Sequence, residues 1–85
     1  MEVYLKPSFI RQYANLEPAL KEEVREKILL FQDTHNHRQL RVHKLDGNLA
    51  GRSSFSVNYR YRIVFAYLSK TEAVLLAIGD HDVYK

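Results

Sequence analysis

The sequence contains no cysteine, which excludes disulfides and thiolate metal ligands as supports for a core. Small secreted domains usually depend on such cross-links, so the chain is expected in the cytoplasm. No apolar run approaches the roughly 18 residues needed to cross a membrane, and no membrane association is expected. The opening residues, Met1-Glu2-Val3-Tyr4-Leu5-Lys6-Pro7, lack the basic-then-apolar layout of a signal peptide. Internal repeats, low-complexity tracts and linkers are missing as well. Acids are scarce in one region: residues 35–62 hold Asp46 alone beside six Lys/Arg.

What is present describes one folded unit. Eighty-five residues, 46% hydrophobic and 27% charged, match an average globular domain rather than a disordered chain. A single domain spanning residues 1–85 follows. At this size folding buries only roughly 60–65% of the unfolded surface, so the core is thin. Residues 1–34 hold five Lys/Arg against six Asp/Glu, and residues 63–85 hold two against three. The net charge of +3 therefore arises in the middle third, from Arg38, Arg41, Lys44, Arg52, Arg60 and Arg62. Segregated positive charge marks either a polyanion site or a solvated basic face.

Periodicity predicts the elements. Val3 and Leu5 alternate with polar neighbours in a short strand that ends at Pro7. Ser8 is expected to cap a helix carrying Phe9, Tyr13 and Leu16. Pro18 then opens a longer helix with Leu20, Val24, Ile28 and Phe31 on one face. Asp33 to Gln39 is a polar loop, Leu40 to Leu45 reads as extended, and Asp46-Gly47-Asn48 as a turn. From Phe55 the odd positions Phe55, Val57, Tyr59, Tyr61, Ile63, Phe65 and Tyr67 face a core. Ser54, Ser56, Asn58, Arg60 and Arg62 stand opposite them, with a bend at Asn58-Tyr59-Arg60. After a turn at Ser69-Lys70-Thr71, Ala73 to Ile78 is apolar on both faces, as in a central strand. The class is α+β, in the order β-α-α-β-β-β.

A few residues carry chemistry. Arg62 lies between Tyr61 and Ile63, which point to the opposite face. A strand arginine is rarely buried unpaired: either it forms a structural ion pair or it is held for an anion, such as a phosphate taken through two hydrogen bonds. His81 follows Gly79 by two residues, between Asp80 and Asp82. It is either a proton carrier near neutral pH or a solvent-facing side chain. Tyr84 either anchors the terminus or stacks on a base. His43 and Lys44 line the same face or a solvated strand edge. His35 and His37 do not form a metal site on this pattern, because zinc needs a fuller ligand set.

Three segments in order then carry a resemblance: His43-Lys44-Leu45-Asp46-Gly47, Ser56-Val57-Asn58-Tyr59-Arg60-Tyr61-Arg62-Ile63-Val64-Phe65, and Leu76-Ala77-Ile78-Gly79-Asp80-His81-Asp82-Val83-Tyr84. Together they resemble the RelE/ParE superfamily of toxins from toxin–antitoxin modules, over nearly the whole chain. The resemblance implies an N-terminal strand, a helical hairpin and a three-stranded antiparallel meander completing one sheet. It implies a ribosome-dependent endoribonuclease that cuts mRNA in the A site by attack of the 2′-hydroxyl, with no metal or other cofactor. The family's strand arginine falls on Arg62, the residue two past the strand-ending glycine on His81, and the near-terminal tyrosine on Tyr84. His43, and after it Asp82, is the candidate second acid or base. Arg41, Lys44, Arg52 and Arg60 are assigned to the RNA backbone. RelE itself has an arginine at the position of His81 and lysines on the strand that here reads Ser53-Ser54-Phe55-Ser56, so the chain is more similar to histidine-bearing members such as YoeB and YafQ. The implied partners are a cognate antitoxin, the ribosome and mRNA, with operator DNA bound through the antitoxin. The alternatives are a ParE-like inhibitor of DNA gyrase that cuts nothing, and a non-toxic interaction module on the same fold.

Overall fold

Proline sets the start of both helices. Pro7 and Pro18 open α1 (Pro7–Ala14) and α2 (Pro18–Phe31), where the missing N–H would have had no intrahelical partner. Lys6 and Glu17 occupy the two N-cap positions, and neither makes a side-chain capping bond. Ser8 is therefore not the cap anticipated from its residue type. The computed structural model describes residues 1–80 and Val83. The site candidates His81, Asp82 and Tyr84 lie outside the described residues.

Five strands form one mixed sheet: β1 (Glu2–Leu5), β2 (His43–Lys44), β3 (Ser53–Ser56), β4 (Arg62–Ser69) and β5 (Glu72–Gly79), in the order β1-β5-β4-β3-β2. β1 runs parallel to β5, and the other pairs are antiparallel. The expected meander thus gains a short fourth strand, β2. The stretch from Leu40 to Leu45 pairs only at His43 and Lys44, because Leu40 turns into the core and Arg41 takes a left-handed φ of 58° that no strand residue adopts.

The helices cover one face of the sheet. Phe9, Leu20, Val24 and Phe31 pack on Phe55, Ile63, Phe65, Leu75 and Ile78 in a single core. Phe31 is its centre, stacked on Phe55 at 4.3 Å between ring centroids and on His37 at 4.7 Å, with Phe65 edge-on. His37 Nε2 also meets the Phe31 carbonyl oxygen at 2.8 Å, so this histidine belongs to the packing beneath α2. Among the described residues no helix is long and apolar enough to cross a membrane.

A bulge explains how β5 is apolar on both faces. Val64 pairs with Ala77, but Phe65 pairs with Leu75, leaving Leu76 as the extra residue. The irregularity lets Leu75 and Ile78, three positions apart, both be buried. β1 ends before it can pair with this part of β5. Ser8 Oγ instead donates to the Leu76 carbonyl at 2.8 Å, and Gln12 Oε1 accepts from the Ile78 N–H at 2.8 Å. Ser8 and Gln12 stand one turn apart on α1, on one helix face, and satisfy backbone groups that would otherwise lack a partner.

The opposite sheet face, read from the even positions Ser54 to Ala66, is polar only in part. Ser54 and Val64, paired across β3 and β4, are both buried. Of the odd positions, Val57 is buried in the core as expected, whereas Tyr59 and Tyr67 are exposed. Polar side chains are accessible mainly toward one end of this face, around Ser56, Asn58 and Arg62.

Candidate active site

Asn58 organises the connection between β3 and β4. Its Oδ1 accepts from the backbone N–H of Arg60 at 2.9 Å and of Tyr61 at 2.8 Å, an Asx turn that closes the bend. Its Nδ2 donates to Glu23 Oε1 at 3.2 Å, tying the turn to α2. Its carbonyl oxygen accepts from Arg62 Nη1, and the Tyr61 carbonyl accepts from the same nitrogen at 3.1 Å. One asparagine thus shapes the turn, anchors it and orients the first residue of β4. From sequence Asn58 reads only as a bend residue, since two of its contacts, to Glu23 on α2 and Arg62 on β4, reach beyond the turn.

Arg62 is half-buried, and among the described residues no ion pair involves it. The structural alternative raised from sequence is a carboxylate partner; the observed partners are neutral carbonyls, which orient the guanidinium without neutralising it. The charge opens into a pocket of about 190 Å³ lined by Arg41, Ser56, Asn58, Tyr59 and Arg62. Two arginines line one concave site, a composition that attracts anions. Periodicity gives no sign that Arg41 belongs here, because its left-handed backbone takes it off the strand pattern.

His43 stands on the same sheet face. It pairs with Ser54, and Arg62 pairs with Ser56, two residues along β3. Ordinary strand spacing and rise separate the two Cα atoms by about 12 Å. His43 Nδ1 lies 2.8 Å from the Arg41 carbonyl oxygen. A carbonyl only accepts, so Nδ1 carries the hydrogen and the neutral ring keeps its lone pair on Nε2. That nitrogen is exposed to the polar face, 3.5 Å from Ser54 Oγ.

The other basic candidates disperse. Lys44 pairs with Ser53 and so faces opposite to His43. With Arg52 it lines a second concavity, formed with Leu45, Asp46, Ala50, Gly51 and Tyr67. Arg60 lies over the Tyr61 ring, 5.4 Å from its centroid. The cluster thus includes Arg41, His43 and Arg62, but not Lys44 or Arg52. Gly79 is the cross-strand partner of Arg62. Val83 N–H returns to the Asp80 carbonyl at 3.0 Å, beside Gly79.

No family model matches the sequence, and no curated protein matches it either. Solved structures do match the fold. A chain of the RelBE2 toxin–antitoxin complex from Mycobacterium tuberculosis superposes with a TM-score of 0.74 at 22% identity, covering 94% of this chain and 96% of that one. A chain of the YoeB–YefM complex from Staphylococcus aureus gives 0.73 at 15%, covering 95% and 97%. YafQ from Escherichia coli gives 0.72 at 13%, covering 98% and 96%. The two helices and five-stranded mixed sheet are thus the fold of RelE-like toxins, as the three sequence segments implied.

Proposed function

We propose that the chain is the toxin of a type II toxin–antitoxin system, a metal-independent endoribonuclease that cleaves mRNA in the ribosomal A site. The observation that carries this reading is Arg62, fixed by the Asn58 and Tyr61 carbonyls and sharing an open pocket with Arg41. A preoriented guanidinium, with no ion pair among the described residues, is suited to the charge that builds on phosphoryl oxygens during in-line displacement.

The reaction needs a base for the 2′-hydroxyl and an acid for the 5′-oxygen. His43 Nε2 takes the first proton, the 2′-oxygen bonds to phosphorus, and the bond to the 5′-oxygen breaks. His81, two residues beyond the Arg62 partner Gly79, protonates the leaving 5′-oxygen, and Asp82 is the candidate after His43 for the base. The products are a 2′,3′-cyclic phosphate and a 5′-hydroxyl. Tyr84 positions the scissile nucleotide, and Arg41, Lys44, Arg52 and Arg60 contact RNA phosphates. A cytoplasmic antitoxin is the natural partner, since RelBE2 and YoeB–YefM are toxin–antitoxin complexes by name, and an acidic partner suits the basic middle third. The complex would reach operator DNA through that antitoxin.

The test is cleavage of a short mRNA, alone and on programmed ribosomes, by wild type, Arg62→Ala and His81→Ala. Cuts that require the ribosome and drop by a factor of about 10² or more in each variant support the reading. Folded wild-type protein that leaves the mRNA intact in both conditions overturns it, in favour of gyrase inhibition or a binding module.

A further inference from the structure

We infer that Tyr59 is a stacking platform for one unpaired nucleobase, whose adjoining phosphate is held by Arg41 and Arg62. The inference rests on the RNA reading above for the class of ligand, and it adds a residue that neither the family resemblance nor the strand pattern assigns.

Tyr59 is 92% exposed, although its odd position in the β-rich stretch assigns it to the core. It is nonetheless held at a defined place. The backbone N–H groups of Arg60 and Tyr61, just after it, are caught by Asn58 Oδ1, so the turn that carries the ring is fixed. The neighbouring cation does not occupy it: Arg60 lies over Tyr61 instead. Among the described residues Tyr59 has no aromatic, cation–π or side-chain hydrogen-bond partner.

Size and charge define what lies beside it. The pocket that Tyr59 shares with Arg41, Ser56, Asn58 and Arg62 measures about 190 Å³, below the roughly 300–1,000 Å³ of small-molecule sites. It accepts a phosphate group rather than a whole nucleotide. The remainder of the nucleotide must lie outside, where the exposed ring borders the opening. An aromatic face next to a pair of guanidinium groups is how single-stranded nucleic acid is held without reading its sequence. A base inside a duplex offers no free face, so the ligand is single-stranded RNA.

The experiment uses the full chain and a 2′-O-methyl RNA hexamer, which cannot undergo 2′-hydroxyl attack. Fluorescence anisotropy compares the intact hexamer with versions carrying an abasic position, for wild type, Tyr59→Phe and Tyr59→Ala. The expected result is a loss of about 5- to 150-fold for Tyr59→Ala on the intact hexamer, matching one stacked base, with Tyr59→Phe close to wild type. The abasic hexamer that weakens wild type most should bind Tyr59→Ala with no further loss. Equal affinity of Tyr59→Ala and wild type, equal losses on intact and abasic hexamers, or no binding by wild type would each overturn the inference. Because Tyr59 is exposed, an unchanged melting temperature shows that the variants fold. Absence of mRNA cleavage with Tyr59-dependent binding retained would sink the nuclease reading alone.

Discussion

His43 Nδ1 and the carbonyl oxygen of Arg41 meet at 2.8 Å, so a residue in a left-handed backbone conformation selects the tautomer of a histidine two positions later. Nitrogen NMR of the free protein should therefore report Nδ1–H as the tautomer of the neutral His43 ring. His43→Ala should slow cleavage on programmed ribosomes by a factor of about 10² to 10⁴, the usual contribution of a general base. Wild-type rates in that variant would remove His43 from the reaction.

Asn58→Ala removes the acceptor of two backbone N–H groups and the link to Glu23. Partly exposed hydrogen bonds of this kind contribute about 0.5–1.5 kcal/mol each, to be read from urea unfolding. Cleavage should fall as well, because the carbonyls that orient Arg62 lie in the same turn.

Phe31→Ala empties the centre of the aromatic stack with Phe55, Phe65 and His37. A buried Phe→Ala change costs about 3–5 kcal/mol. For a domain of this size each kcal/mol lowers the melting temperature by about 4–8 °C, so calorimetry should find the variant marginally folded.

The basic candidates should separate by position. Arg41→Ala, at the Arg62 pocket, should weaken RNA binding and change the cleavage rate. Lys44→Ala and Arg52→Ala, in the other concavity, should weaken binding alone. Removing one cation that neutralises a phosphate should lower the salt dependence of binding by about one unit of slope or slightly less.

Tyr4 should be a late tyrosine in an ultraviolet titration. Its hydroxyl donates to Glu2 at 2.7 Å, and that bond, the Glu2 charge and the nearby Glu72 push its pKa up to about 12 from 10.0. The protonated phenol is favoured in the folded state. Its contribution is therefore complete below pH 10 and lost as the pH rises from 10 towards 12. Glu2→Gln should bring the titration back towards the ordinary value.

Most of the architecture is legible in the sequence because it follows from local rules. The spacing of Leu20, Val24, Ile28 and Phe31 locates α2, and Pro18 locates its start. The Asx turn at Asn58 is readable as a bend from its residue types. What escapes depends on contacts between distant segments. Ser8 looks like a cap, yet its hydroxyl serves a β5 carbonyl 68 residues away. The bulge at Leu76 and the left-handed Arg41 break the strict alternation that sequence patterns assume. At the site, Arg62 stands out as a strand arginine. Arg41 reads only as a contact to the RNA backbone, and Ser56 and Tyr59 as faces of a strand, because their meeting depends on how the turn closes.

The two α1 side chains on β5 also govern aggregation. An unpaired sheet edge is a template for strands from other molecules. Ser8 and Gln12 occupy the β5 groups beyond the end of β1, so α1 blocks that stretch against intermolecular pairing. β1 and the two-residue β2 are the edge strands of the sheet among the described residues. A foreign strand that extends this sheet must therefore dock at one of these short edges, and disrupting the α1 contacts would create a third point of entry.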